Sequence, residues 1–234
     1  MHQYAARGVH GQTVEVIAQR VLSGRLAEGS TLDIAALQAE FDVSLTVVRE
    51  ALKVLAAKGL VDARPKRGTF VRPRSDWSLL DADVLRWQFA GQAKPDLFQD
   101  LHELRTIVEP GAASLAAARA TETDLAALET ALAGMAAAGE DVAAAVSADL
   151  AFHRALLAAA GNELLLRMEV VIETGLAERD RMVHGAQERS ADPLPSHQAV
   201  VEAIRAHDPD RAAWAMHELL RKAIEDVIKL GEHP

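Results

Sequence analysis

Only one short stretch of this sequence reads as β structure. Leu60-Val61-Asp62-Ala63-Arg64 and Thr69-Phe70-Val71 are β-prone runs on either side of Pro65-Lys66-Arg67-Gly68. That arrangement predicts a hairpin, and Pro73 closes it. Everything else carries helical spacing, so the fold class is mainly α with a single small hairpin. The composition agrees: half the residues are apolar but only 4% are aromatic, a balance that suits closely packed helices better than a β-sandwich.

Ahead of the hairpin, Val14, Ile17, Ala18, Val21 and Leu22 share one helical face from Thr13 onward. Gly24 and Glu28-Gly29 end that helix. Asp33 is placed to cap a second helix through Ile34, Leu37 and Phe41, and Asp42-Val43-Ser44 forms a tight connection. A third helix opens at Ser44 or Leu45 and carries Val47, Val48, Ala51, Leu52, Val54 and Leu55 up to Gly59. Helix, helix, turn, helix, hairpin predicts a winged helix-turn-helix over residues 12–73, behind a tail at 1–11.

Beyond Trp77 no strand is expected. Helical stretches fall near 79–89, 96–119, 122–138, 141–160, 163–184, 194–206 and 209–230. Their breaks include Lys94-Pro95-Asp96, the Thr121/Asp124 cap, Gly139, Gly161-Asn162, Asp192-Pro193 and Asp208-Pro209. This predicts a connector and linker helix over 74–95. An antiparallel all-α bundle of six or seven helices follows over 96–230.

The net charge of −9 is unevenly shared. Residues 1–74 hold 11 Lys/Arg against 7 Asp/Glu, and residues 75–234 hold 14 against 27. A basic segment joined to an acidic one is expected if only the first approaches phosphate. The chain has no cysteine, which excludes disulfides, thiolate metal sites and cysteine nucleophiles. With no signal-peptide pattern and no apolar run expected to reach the roughly 18 residues of a membrane span, the expectation is a cytoplasmic protein without a membrane partner.

In a helix-turn-helix the start of the second helix enters the major groove. Thr46, Arg49 and Lys53 lie on the face opposite the apolar stripe. Arg49 can grip a guanine edge or a phosphate, and Thr46 a phosphate or a thymine methyl. Lys66 and Arg67 can reach the neighbouring minor groove or backbone, with Gly68 permitting close approach. A merely solvated helix face would look the same at Arg49 and Lys53 taken alone.

Downstream, Asp149 and His153 sit four apart on one helix face. His197 follows a helix start, and His217 lies in the last helix. Imidazoles with one carboxylate suit zinc or another divalent first-row ion, nickel or manganese included. Spacing alone equally allows hydrogen-bonded histidines on separate helices. Enzyme signatures are missing: there is no His-Glu-x-x-His, no Glu-x-x-His tetrad and no glycine-flanked serine. Catalysis is not expected.

The series Ser44-x-Thr46-x-Val48-Arg49-Glu50-Ala51-Leu52, Gly59-Leu60-Val61 and Arg67-Gly68-Thr69-Phe70-Val71 resembles the DNA-binding domain of GntR-type regulators. The resemblance implies a homodimer on a pseudo-palindromic double-stranded operator, contacted by Thr46, Arg49 and Gly68. Two departures stand out: Leu45 replaces an arginine usual in the family, and Ala35 and Ala36 stand where a basic residue is common. Asp149-x-x-Phe152-His153, His197 and His217, with Glu103-Leu104-Arg105, Glu109-Pro110 and Ala160-Gly161-Asn162, resemble the FCD ligand-binding domain found behind such heads in the FadR-type subgroup. This implies a divalent metal on Asp149, His153, His197 and His217, completed by the carboxylate of a small effector. Arg105 would be the effector's second anchor, or else an ordinary pair with a nearby acid. The connector Trp77 to Trp87 resembles that of regulators of sugar-acid catabolism. A repressor released by a sugar acid or hydroxy acid is the expectation. A metal-free site, in which the histidines contact the ligand directly, is the alternative.

Overall fold

A computed structural model describes residues 8–90, 95–183 and 194–231. Residues 1–7 of the expected tail, residues 91–94 of the connector and the Asp192-Pro193 break lie outside the described residues. The chain divides into two compact units, Met1–Ala93 and Lys94–Pro234. Among the described residues both are helical apart from one two-stranded sheet in the first.

The first unit holds α1 (Gly8–Leu22), α2 (Ile34–Phe41), α3 (Leu45–Ala57), β1 (Val61–Arg64), β2 (Gly68–Val71) and α4 (Ala82–Ala90). Local chemistry fixes these boundaries. Asp33 caps α2 by accepting from the Ala36 amide at 3.0 Å, and Ser44 caps α3 by accepting from Val47 at 3.4 Å. Asp42, at φ 51°, turns the chain between the two helices. α1 starts earlier than its apolar pattern, because residues 8–11 are already helical; part of the expected tail is therefore helix.

The strands pair antiparallel, from Val61 opposite Val71 to Arg64 opposite Gly68. A short segment before α2, unannounced in the sequence, pairs along the other edge of β2. Thr31 bridges Phe70, and Leu32 donates to the Thr69 carbonyl at 2.8 Å while Val71 donates to Ser30 at 3.0 Å. Val14, Ile17, Val48, Leu52, Leu55, Leu60 and Val71 form one buried cluster.

That cluster also contains Trp77, Val84 and Trp87. The linker helix is thus part of this unit's core. The Trp77 indole donates to the Arg72 carbonyl at 3.0 Å, and Gln19 of α1 donates to the Trp87 carbonyl at 2.9 Å. Just past α3, Lys58 reaches Asp81 at 2.7 Å and Asp83 at 2.8 Å. Burial alone would lower the lysine's pKa, but bonds to the two carboxylates raise it.

The second unit comprises α5 (Pro95–Arg119), α6 (Glu122–Ala138), α7 (Val142–Ala159), α8 (Glu163–Arg167), α9 (Glu169–Val183), α10 (Leu194–Arg205) and α11 (Pro209–Gly231). A reciprocal Thr121/Asp124 box starts α6, and Asp141 and Asn162 cap α7 and α8. The expected single helix over 163–184 is interrupted at Met168, whose amide turns back to the Leu165 carbonyl at 2.9 Å. α5 packs on α11 and α7, and α6 on α7 and α10, around Ala113, Ala116, Leu128, Phe152, Leu156, Ile204, Met216 and Leu220. Runs of alanine on α5 let the helix axes approach closely.

One sequence expectation is corrected here. α7 is long and apolar enough, by length and composition, to cross a membrane. Alanine supplies much of that apolarity, however, and Phe152, Leu156 and Leu157 of this helix are fully buried inside the bundle. α7 is a core helix that also carries Asp149, His153 and Arg154.

Gly59 is the most closely confined glycine of the first unit. Its φ is +78°, and a Cβ there would lie 2.3 Å from the backbone oxygen of Asp76. Gly59→Ala meets both backbone strain and a clash with rigid main chain. It is expected to destabilise the head by on the order of 2–4 kcal/mol, read as a lower urea midpoint by tryptophan fluorescence.

Candidate functional site

Two places in the chain gather polar side chains that the core does not explain. The first is the outer face of α3. Val48, Ala51, Leu52 and Leu55 turn inward, so the helical repeat leaves Thr46, Arg49, Glu50 and Lys53 exposed. Lys53 pairs with Glu50 at 2.7 Å, whereas Arg49 makes no ion pair among the described residues. In the wing turn Lys66, Arg67 and Gly68 are exposed. Arg67 is partly committed within the head: it lies over the Phe70 ring at 3.7 Å and donates to the Gly29 carbonyl at 3.2 Å. Lys66 at φ 65° and Gly68 at φ 80° shape the turn.

The second place is inside the bundle, where α5, α7 and α10 each contribute. Asp149 Oδ1 is 3.1 Å from His197 Nε2 and 3.8 Å from His153 Nε2. One donor atom from each of these three residues lies within 4.8 Å of the others. Both imidazoles are buried, and Asp149 is partly open at 19% side-chain exposure. Phe152 meets both rings edge-on, with centroids 5.4 and 4.7 Å away. Two imidazole nitrogens and a carboxylate oxygen, with no thiolate, fit a divalent first-row cation by donor chemistry.

Behind these donors sits Glu109, which has no exposed surface. Its Oε1 accepts from Arg105 Nε at 2.5 Å, and its Oε2 is 2.7 Å from His153 Nδ1, a close approach that is not well aligned. Arg105 Nη2 is 3.0 Å from His153 Nε2. A guanidinium can only donate, so this contact uses the Nε2 lone pair and leaves Nδ1 as the protonated nitrogen facing Glu109. Burial would push the Glu109 carboxyl up. The adjacent Arg105 guanidinium, aided by the His153 Nδ1–H that faces the carboxylate, outweighs it and holds the group at about 2.

Residues 10–71 match the model of bacterial regulatory proteins of the gntR family, and residues 100–222 match the FCD domain. The chain belongs to the GntR family, with an FCD domain behind its DNA-binding head. It is similar to the galactonate operon transcriptional repressor of Escherichia coli, at 36% identity over 86% of this chain and 89% of that one. It is also similar to the transcriptional regulator LutR of Bacillus subtilis, at 32% identity over 89% and 95%. Among solved structures, Lar of Listeria monocytogenes superposes with a TM-score of 0.65 over 96% of this chain and 98% of that one, at 18% identity, which speaks to fold alone. The chain is a transcription regulator and not an enzyme.

Within a GntR head, the exposed ridge of α3 and the wing turn carry all six residues expected at DNA: Thr46, Arg49, Lys53, Lys66, Arg67 and Gly68. In the FCD domain the outcome is less uniform. Asp149, His153 and His197 come together, but His217 does not join them. On α11 the inward stripe is Ala212, Ala215, Met216, Leu219 and Leu220, and His217 lies exposed on the outer side beside Trp214 and Arg221. The structure thus brings together three of the four residues expected to hold a metal. Arg105 is buried, and its Nε is held by Glu109, the intrahelical pair that sequence reading left open. The role of Glu109 itself was missed. Its signal was an acid four residues after Arg105 on a helix whose neighbouring positions are apolar.

Because the Glu109 carboxyl falls from its usual 4.5 to about 2, its stabilising contribution is complete above pH 4.5. It is lost as the pH drops toward 2. In chelator-treated protein the urea midpoint of wild type should fall more steeply on acidification below pH 4.5 than that of Glu109→Gln. Parallel decline of the two would contradict the assignment.

Proposed function

We propose that this chain is a homodimeric cytoplasmic repressor of a catabolic operon, released from its operator by a small carboxylate bound in the FCD domain at a divalent-metal site. The observation that carries this reading is the convergence of Asp149, His153 and His197 beside a buried arginine. A divalent ion bound there supplies Lewis acidity toward a carboxylate oxygen, and zinc, nickel or manganese suits the donors. Three protein donors leave coordination positions for effector and water. One lone pair cannot serve two partners, so metal occupancy at His153 Nε2 makes Arg105 Nη2 available as a donor to the same carboxylate. A relative named for the galactonate operon supports a sugar acid as effector class, and a polyhydroxy acid suits a polar pocket with a cation.

On DNA, Arg49 is the α3 cation free to grip a guanine or phosphate, with Thr46, Lys53 and the wing residues Lys66, Arg67 and Gly68 around it. Effector binding shifts the population of head arrangements away from the one that fits the operator. Since Trp77, Val84 and Trp87 belong to the head's core, α4 moves with the head in this scheme.

A second reading is favoured by the Arg105–His153 contact, which already occupies the Nε2 lone pair without metal. In that case Arg105 and the histidines bind the acid directly. A thermal-shift screen of sugar acids and hydroxy acids, with and without chelator, separates the two. The metal reading expects stabilisation that chelator abolishes, and chelator-insensitive stabilisation would favour the direct site.

Two substitution series complete the test. Asp149→Ala and His153→Ala are expected to lose bound metal in elemental analysis, while His217→Ala keeps it; loss of metal in His217→Ala would restore the four-residue set. Arg49→Ala is expected to weaken specific operator binding by roughly 10- to 100-fold per half-site, and an unchanged mobility shift would refute α3 as the reading helix.

A further inference from the structure

Leu45 is a large apolar residue left at 38% exposure at the first position of α3. The head's core is complete without it. Val48, Ala51, Leu52 and Leu55 supply the buried stripe of this helix. The partly buried residues packed against that stripe include Ile34, Phe41, Val43 and Val54, but not Leu45. At four residues before Arg49, Leu45 stands one turn N-terminal to it on the same side. On the helical wheel it lies between the core stripe and the exposed ridge of Thr46, Arg49 and Lys53. Its side chain is therefore continuous with the DNA-facing surface, at the end of the helix that penetrates the major groove most deeply.

A leucine offers no hydrogen bond to a base edge. The only apolar group that the major groove presents is the C5-methyl of thymine. We propose that Leu45 is a specificity-determining residue that packs on a thymine methyl in each half-site, so that this protein reads apolar shape at a position where a polar side chain would read hydrogen bonds. Desolvation drives the preference: the exposed leucine and the methyl group each lose unfavourable contact with water. A cytosine at that position presents an amino donor instead of the carbonyl and methyl, and leaves the leucine against a polar edge. The proposal rests on α3 being the reading helix, and its test separates the two.

The experiment selects binding sites from a randomised duplex library with the full-length wild type, Leu45→Arg, Leu45→Ala and Arg49→Ala. Wild type is expected to enrich thymine at one half-site position, and Leu45→Arg to replace it with guanine. In the wild-type consensus, exchanging that thymine for deoxyuridine removes only the methyl group. The exchange is expected to weaken wild-type binding about fourfold per half-site, the worth of one buried methyl, and to leave Leu45→Ala unaffected. Identical consensus sequences from wild type and Leu45→Arg would overturn the proposal, as would an equal deoxyuridine penalty in wild type and Leu45→Ala. If Arg49→Ala selects the same sites as wild type, the assignment of α3 falls, and Leu45 falls with it.

Discussion

A carboxylate with no exposed surface can stay ionised only if its surroundings replace the water it has lost. Glu109 meets that condition by binding Arg105 on its own helix and facing His153 on α7. Asp149, one turn before His153, then reaches His197 on α10. A line of polar contacts thus runs through the bundle and ties three helices in one register. Such a network is stable when every member is satisfied and costly when one is lost. Its charges also fix the site's chemistry, because Glu109 and Arg105 together decide which nitrogen of His153 faces the other donors.

The head solves a similar problem with a single cation. Lys58 sits past the end of α3 with only 13% of its side chain exposed, and two aspartates from the start of α4 receive it. Together with Trp77 and Trp87 it locks the segment after the wing onto α3. The seating of α3 therefore depends on residues far outside the helix-turn-helix itself. The exposed face of α3 can vary in sequence while this support stays in place.

Most of the head was legible because its determinants are local. Caps at Asp33 and Ser44, the apolar period of α3 and the Pro/Gly turn each act within a few residues. The edge segment Ser30 to Leu32 was not legible, since it depends on pairing with Thr69 to Val71 almost 40 residues away. The break at Met168 has no glycine or proline to announce it. His217 is a different case. The stripe of Ala212, Ala215, Met216, Leu219 and Leu220 was readable in the sequence and places position 217 outside, so helical phase weighed against counting it with His153 and His197. Glu109 was visible as a residue, but its meaning required knowing that α7 brings His153 to it.

The packing of Trp77 and Trp87 into the first unit also bears on how such regulators can be recombined. A boundary drawn at Pro73, where the wing ends, would strip two large aromatic side chains and the partners of Lys58 from the head. What remains would expose the apolar side of α1 that α4 covers. The transferable cassette therefore runs through α4, and a graft onto a different sensor inherits the linker helix together with the DNA-reading surface.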